Sequence, residues 1–592
     1  MDVKGGSGSA AGRRSTDSRH RSSPPPFFSA AASQLIHPES LMRNWWQRLS
    51  QWGDVRTTKR ARSAVCVAAA VALALAIIVL SAGGGGSPVP NEMPLYSFID
   101  SGQGSDMNLT ADHLLGGLLT AEFPYGSCRS RYEFSMYHKK SLFHKPSPYL
   151  LSKLRKQEEL QRRCGPGTDG YKRAMRQLKS GLAEADHNDH CRYLVYISLR
   201  GLGNRMLALA SSFLYAMLTE RVLLVDGNKD IADLFCEPFP DTSWVLPLHG
   251  RSSALRHLDR YDEGSPVSLG NMLQNGSIVM SADRNNVSWS SPQPPPHMLL
   301  HLAGGYGFND KLFYCDTLQK LIHGVPWLLM RTDSYLVPGL FLTPLFLSEL
   351  EAMFPEKEAA FYHLGRYLFH PSNAVWHAIT SYYRSYLAGA NRRVGIQIRV
   401  YQKKQPPQQI LDQLLSCIRG EKLLPETTAS NGTSSHAILV TSLSSWYHEQ
   451  LTVEYGGRIA GGVHQPSQEG EQRWGDTAHD MRALSEIYLL SMCDVLVTSG
   501  FSTFGYVAQG LGGLQPWVMS RPSPWDEWTE GQAAPEPACQ RALSVEPCFH
   551  SPSYYDCAVG RDVDLDKVTP YIRLCVDVSW GIKLVNESSS QW

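Results

Sequence analysis

The segment DMRALSEIYLLSMCDVLVTSGFSTFGYVAQGLGGLQPWVM, Asp480 to Met519, leaves few folds open to this chain. Met481, Leu484, Ile487, Tyr488 and Ser491 recur at helical spacing, which predicts an amphipathic helix. Val495-Leu496-Val497 reads as a short buried strand, and Phe504 to Gln509 as a second helix. Gly510, Gly512 and Gly513 are expected to stop that helix, and Pro516-Trp517-Val518-Met519 to form the next strand. Strand, helix, strand in that order implies a crossover to a parallel neighbour, and so an α/β sheet. The turn Thr498-Ser499-Gly500-Phe501-Ser502-Thr503 leads from strand into helix. It offers backbone N–H groups and hydroxyls at the positive end of a helix dipole, a site suited to a diphosphate. Plain capping by Ser502 or Thr503 is the alternative.

The same order recurs earlier. Tyr193 to Leu199 is predicted as a strand, Arg200 to Arg205 as a tight loop, Met206 to Thr219 as a helix and Val222 to Asp226 as a strand. The loop lacks GxGxxG, so no dinucleotide fingerprint is present. Asn204 and Arg205 still fall at the strand's C-terminal end, where open α/β sheets bind ligands. A salt bridge is an equal reading for Arg205. A further strand, Arg393 to Arg399, sends Val394, Ile396 and Ile398 one way and ends on Arg399. That guanidinium suits a diphosphate and the charge on a departing nucleotide, or else a buried ion pair. His436 to Ser442 reads as a strand and Trp446 to Tyr455 as a helix. The expected fold is α/β, two Rossmann-like halves facing a cleft. Elsewhere, Leu150 to Gln161 reads as a solvated surface helix, Leu234 to Tyr314 as an irregular substrate-side region, and Tyr362 to Ala388 as helical with its aromatics used for packing.

Ahead of this body, residues 64–82 (AVCVAAAVALALAIIVLSA) carry no charge and have bilayer-spanning length. Residues 1–63 hold eleven Lys/Arg against four acids, which predicts a cytosolic N-terminus and a type II anchor. Residues 83–112 read as a stem. Five Asn-x-Ser/Thr sequons all follow the anchor, as do eleven of the twelve cysteines. Disulfides fit that compartment, and eleven is odd, so at least one thiol is left over or pairs between chains. A net charge of +1 gives no support to nucleic-acid binding. Asp562-Val563-Asp564, an Asp-x-Asp near the C-terminus, reads as a surface turn. Charge neutralisation by a helix N-terminus and Arg399, with no metal, is the expectation.

The blocks YISLRGLGNRMLALASSFLYAMLTERVLLVD, DLFCEPFPDTSWVLP, LGRYLFHPSNAVW, VGIQIRV, LVTSGFSTFGYVAQGLGGLQPW and EPCFHSPSYYDC closely resemble the plant xyloglucan fucosyltransferase family over about residues 120–585. The resemblance implies a GT-B-type fold in a Golgi type II membrane protein. It implies inverting transfer of L-fucose from GDP-β-L-fucose, in α-1,2 linkage, to galactose of xyloglucan or arabinose of arabinogalactan proteins. A catalytically weak GDP-fucose- or glycan-binding scaffold is the other class considered. It implies an acceptor-side domain over 113–390 and a GDP-fucose-binding domain over 391–592. Arg399 becomes the pyrophosphate ligand, and Ser499, Ser502, Thr503, Phe504 and Gly505 the rest of the donor site. Asn204 and Arg205 become the facing wall, and His464, Ser442 and Glu486 weaker candidates for the nucleotide pocket. No cofactor or metal is implied. The expected partners are GDP-fucose, a glycan and the membrane, with a homodimer left open. One stretch departs from the pattern: where relatives carry an acidic run, His301 to Lys311 keeps only Asp310, the candidate general base.

Overall fold

The computed structural model describes residues 114–586, except for segments 139–143, 182–190, 228–230, 248–254, 401–406, 426–434, 521–534, 553–554, 558–560 and 563–569 and a few isolated positions. The expected cytosolic tail, membrane segment and stem lie outside the described residues. Among those described, no helix is long and apolar enough to cross a membrane.

The first sheet has four parallel strands: β1 (Tyr193–Ile197), β2 (Val222–Val225), β3 (His297–Leu302) and β4 (Trp327–Thr332), in the order β2-β1-β4-β3. Tyr193, Val195 and Ile197 face one apolar cluster, and Leu194 and Tyr196 the other. Burial on both faces is why the strands read as unbroken apolar runs. The second sheet comprises β5 (Arg392–Gln397), β6 (His436–Thr441), β7 (Val463–His464), β8 (Val495–Ser499), β9 (Trp517–Met519) and β10 (Cys539–Arg541), in the order β10-β9-β8-β5-β6-β7. Only β10 runs antiparallel to its neighbour.

Six helices matter for the site: α1 (Pro148–Cys164), α2 (Leu202–Leu218), α3 (Leu269–Gln274), α4 (Ala360–Leu368), α5 (Thr477–Ser491) and α6 (Thr503–Gly512). Helix α2 is buried at every position but Asn204, and α6 is almost as enclosed. Helices apolar all round must lie inside, and these two pack on each other, with α4 and α5 around them. They form the seam between the two sheets. Each follows a strand and runs back across its sheet, so both N-termini emerge at the strands' C-terminal edges.

Four sequence expectations are corrected. Helix α2 starts at Leu202 rather than Met206, so Asn204 and Arg205 lie in its first turn. Gly510 and Gly512 continue α6 instead of ending it, and the stop is Gly513 at φ 63°. The reason at Gly510 is packing, because a Cβ there would stand 2.3 Å from Cδ1 of Phe361. Helix α1 is not a solvated surface helix: Leu150, Leu154, Gln157, Glu158 and Gln161 are buried. Gln157 and Gln161 donate to the carbonyls of Arg221 and Leu223, and Tyr367 donates its hydroxyl to Glu158. The 234–314 region is less irregular than expected, since it supplies β3.

Ten of the eleven cysteines beyond residue 82 pair, as Cys128–Cys236, Cys164–Cys191, Cys315–Cys557, Cys417–Cys539 and Cys548–Cys575. Cys493 remains a buried thiol, which burial holds far above the usual thiol range.

Candidate functional site

The N-termini of α2 and α6 abut. A Cβ at Gly203 would lie 2.8 Å from the Phe504 nitrogen and from the Thr503 carbonyl carbon. Thr503 Oγ1 donates to Asn204 Oδ1 at 3.1 Å, and Asn204 Nδ2 donates to the Asp333 carbonyl at 3.0 Å. The two helix starts therefore lie side by side, and a helix N-terminus favours an anion. Ser502 is the N-cap of α6, yet its side chain makes no capping bond. Gly505 lets the helix start lie against β8: a Cβ there would be 3.0 Å from the Thr498 Cβ. Phe504 packs against the core below.

Arg399, two residues past β5, joins this group. Its backbone N–H donates to Ser499 Oγ at 2.9 Å, and its Nη2 donates to Gln472 Oε1 at 2.8 Å. Gln472 in turn lies against Gly201, where a Cβ would come within 2.7 Å of Nε2. Arg205 Nη2 meets Asp480 Oδ2 on α5 at 2.5 Å, with side-chain exposures of only 6% and 7%. This is a buried ion pair across the seam. It ties the halves together just behind the helix termini.

Beside these groups opens a cavity of about 800 Å³. The first sheet's C-terminal edge supplies Ser198, Leu199, Arg200, His301, Ala303, Gly304, Gly305, Arg331 and Asp333, and the start of α5 with the loop before it supplies Trp474, Gly475 and Thr477. Glu263 and Arg205 also line it. Asp333 is fixed by the Gly304 N–H, donating at 3.0 Å to Oδ1, and by Arg200 Nε at 3.3 Å from Oδ2. Burial lowers the pKa of His301, partly offset by the Asp310 charge, so its imidazole is neutral at pH 7.

Thus Arg399, Ser499, Ser502, Thr503, Phe504, Gly505, Asn204 and Arg205 gather in one neighbourhood. Ser442 and His464 lie along the same sheet edge on the next two strands, and their polar groups are engaged locally. Ser442 accepts from Ser444 N–H at 3.3 Å, and His464 Nε2 sits 2.7 Å from the Gly461 carbonyl. Glu486 stands behind them on α5, its pKa pushed up to about 8 by burial, and accepts from Ser467 Oγ at 2.6 Å. Asp310 is not among the cleft-lining residues. Its Oδ1 accepts the Gly270 N–H at 3.0 Å at the start of α3, a capping role. Asp562 lies in a short antiparallel pair with Tyr555, and Val563 and Asp564 are outside the described residues.

One residue that no local pattern marked holds the β8–α6 turn. Phe501 adopts φ 59°, an uncommon conformation for a bulky side chain. Asp577 Oδ2 accepts the Phe501 N–H at 2.8 Å and the Tyr506 hydroxyl at 2.5 Å. His550 stacks on Phe501 at 4.3 Å, and burial lowers its pKa to about 4. Asp577 comes from the far C-terminus, so only the folded chain reveals the contact. Asp577 also falls near Cys548 and Cys575 in a grouping with metal-ligand distances, but those two sulfurs are bonded to each other.

The family model for xyloglucan fucosyltransferase matches residues 99–558. The chain is 47% identical to a galactoside 2-alpha-L-fucosyltransferase of Arabidopsis thaliana, across 81% of this chain and 84% of that protein. It is 46% identical to the protein of that name from Pisum sativum, across 82% and 85%. A solved structure of an Arabidopsis thaliana FUT1 mutant in complex with GDP superposes with a TM-score of 0.71 at 47% identity, covering 80% of this chain and 100% of that one.

Proposed function

The chain belongs to the xyloglucan fucosyltransferase family, and we propose that it transfers L-fucose from GDP-β-L-fucose to galactose of xyloglucan side chains, forming an α-1,2 link with inversion. The observation that carries this reading is the meeting of two helix N-termini near Arg399, with Arg205 of the α2 start lining an 800 Å³ cleft. As the acceptor oxygen bonds to fucose C1, the bond from C1 to the β-phosphate oxygen breaks and GDP leaves with the electron pair. The charge that develops on GDP is met by Arg399, by the N–H groups of α2 and α6, and by the hydroxyls of Ser502 and Thr503. That set supplies the neutralisation a divalent cation would otherwise give. Ser499 orients Arg399 through its backbone, and Ser442 and His464 border the nucleoside end.

An inverting transfer also needs a group to take the acceptor proton. Asp310 is tied to Gly270, so we assign it to sustaining His301 electrostatically, and His301, neutral and lining the cleft, to accepting the proton. The same engagement of Asp310 favours the second reading, a chain that binds GDP-fucose but turns over weakly. In the division we adopt, 113–390 is the acceptor-side domain and 391–592 the donor domain of a GT-B-type enzyme. Residues 64–82 anchor it in the Golgi membrane with the body luminal.

The test is the purified full chain in detergent with GDP-fucose and EDTA, offered xyloglucan or arabinogalactan oligosaccharides separately. Transfer to the galactose-bearing xyloglucan oligosaccharide in EDTA is the expected result. GDP binding without transfer to either would replace the enzyme reading with the scaffold.

A further inference from the structure

The loop before α5 places a tryptophan at the cleft in an unusual way. Trp474 lines the cavity and is 69% exposed. Its neighbours are fixed: Gln472 Oε1 accepts from Arg399, and Asp476 Oδ1 accepts the His479 N–H at 3.1 Å as the cap of α5. Gly470 and Gly475, at φ 72° and 78°, bound the loop in conformations that favour glycine. An indole held on a braced loop and left open at a cleft offers a flat apolar face to a ligand.

The other lining residues define the ligand. Glu263, His301 and Asp333 carry hydrogen-bonding side chains, while Gly304 and Gly305 carry no side chain, and a Cβ on either would meet nothing within 4 Å. A slot with a flat apolar face and polar groups around open space matches a pyranose or furanose ring, which has an apolar C–H face and a hydroxyl rim.

We propose that this end of the cleft is an acceptor-sugar subsite, in which the Trp474 indole stacks on the C–H face of a sugar ring of the incoming glycan. The assignment rests on the glycosyltransferase reading above. Because Gln472 joins the same loop to Arg399, a ring on Trp474 sits next to the donor's leaving group.

The experiment compares the full chain with Trp474→Ala and Trp474→Phe, using a galactose-bearing xyloglucan oligosaccharide and GDP-fucose. Trp474→Ala is expected to raise the acceptor KM about tenfold, the scale of losing one aromatic anchor. Trp474→Phe, which keeps a stacking face, is expected to raise it less than about threefold. GDP affinity by calorimetry is expected to stay within about twofold. A rise in GDP Kd with unchanged acceptor KM would overturn the proposal and give the indole to the nucleotide. No change in either would also overturn it. Titrating the oligosaccharide without donor carries the same expectation for its Kd. A wild-type chain that transfers nothing therefore sinks the enzyme reading, while the titration alone decides this one.

Discussion

Removing the Asp577 carboxylate is the perturbation whose size the structure sets most directly. Asp577→Ala deletes the acceptor of two hydrogen bonds, from the Phe501 N–H and the Tyr506 hydroxyl. Hydrogen bonds to a charged group contribute roughly 1.5–3 kcal/mol each. Release of Phe501 from its left-handed conformation offsets about 1–3 kcal/mol of that sum. The net shift is about 3 kcal/mol against the observed β8–α6 turn. If GDP requires this turn, its affinity falls by about 100-fold, because each 1.4 kcal/mol is a factor of ten. Whole-body stability changes far less. At about 2 cal/mol/K of unfolding entropy per residue, 3 kcal/mol lowers the Tm of a body this size by only about 3 °C. Calorimetric titration with GDP and a thermal melt separate the two effects. A variant that shows the small fall in Tm but binds GDP within about twofold of wild type would refute the assignment of the turn to the diphosphate.

Arg205→Met removes the guanidinium from the buried Asp480 carboxylate, which costs about 3–5 kcal/mol, and the paired change Arg205→Met with Asp480→Leu should restore most of that stability. Melts of the two variants check it. Glu486 and Glu546 both have pKa values pushed up to about 8 by burial. Each folded-state pKa lies above its unfolded value, so this contribution is fully present below about pH 4.5 and is lost as pH rises through about 8. Glu486→Gln is therefore expected to raise the Tm relative to wild type at pH 7.5 and to leave it nearly unchanged at pH 4.5, read by thermal melts across that range. His301→Gln is expected to lower transfer by about 100-fold with GDP affinity retained, a split that steady-state kinetics and calorimetry resolve.

Strands β1, β2, β5, β6, β8 and β9 were legible because burial on both faces forces apolar runs such as YLVYI and VLLV, a purely local signature, whereas β3, β4 and β7 were not read. The clustering of Arg399 with Ser499 to Gly505 was legible for a related reason, since all lie at strand ends feeding helices. What escaped the sequence depends on distant partners. Gly510 stays helical because Phe361 packs on it, and Gln157 and Gln161 are buried because open carbonyls on and beside β2 receive them. The early start of α2 left no capping side chain to read, as its N-cap is Gly201. Asp577 gave no local sign at all. Trp474 did leave one: an aromatic in the polar run Gln472-Arg473-Trp474-Gly475-Asp476 has no core to enter.

The central claim is that Arg399, set between two helix N-termini, drives departure of GDP during fucose transfer. The most direct measurement is product formation by the full chain and by Arg399→Lys, with the new linkage read by NMR. The account predicts α-1,2-linked fucose on galactose from wild type. It predicts a fall of at least about 100-fold in kcat for Arg399→Lys, because an ammonium cannot make the bidentate contact. Equal rates for the two proteins, or a product without an α link, would contradict it.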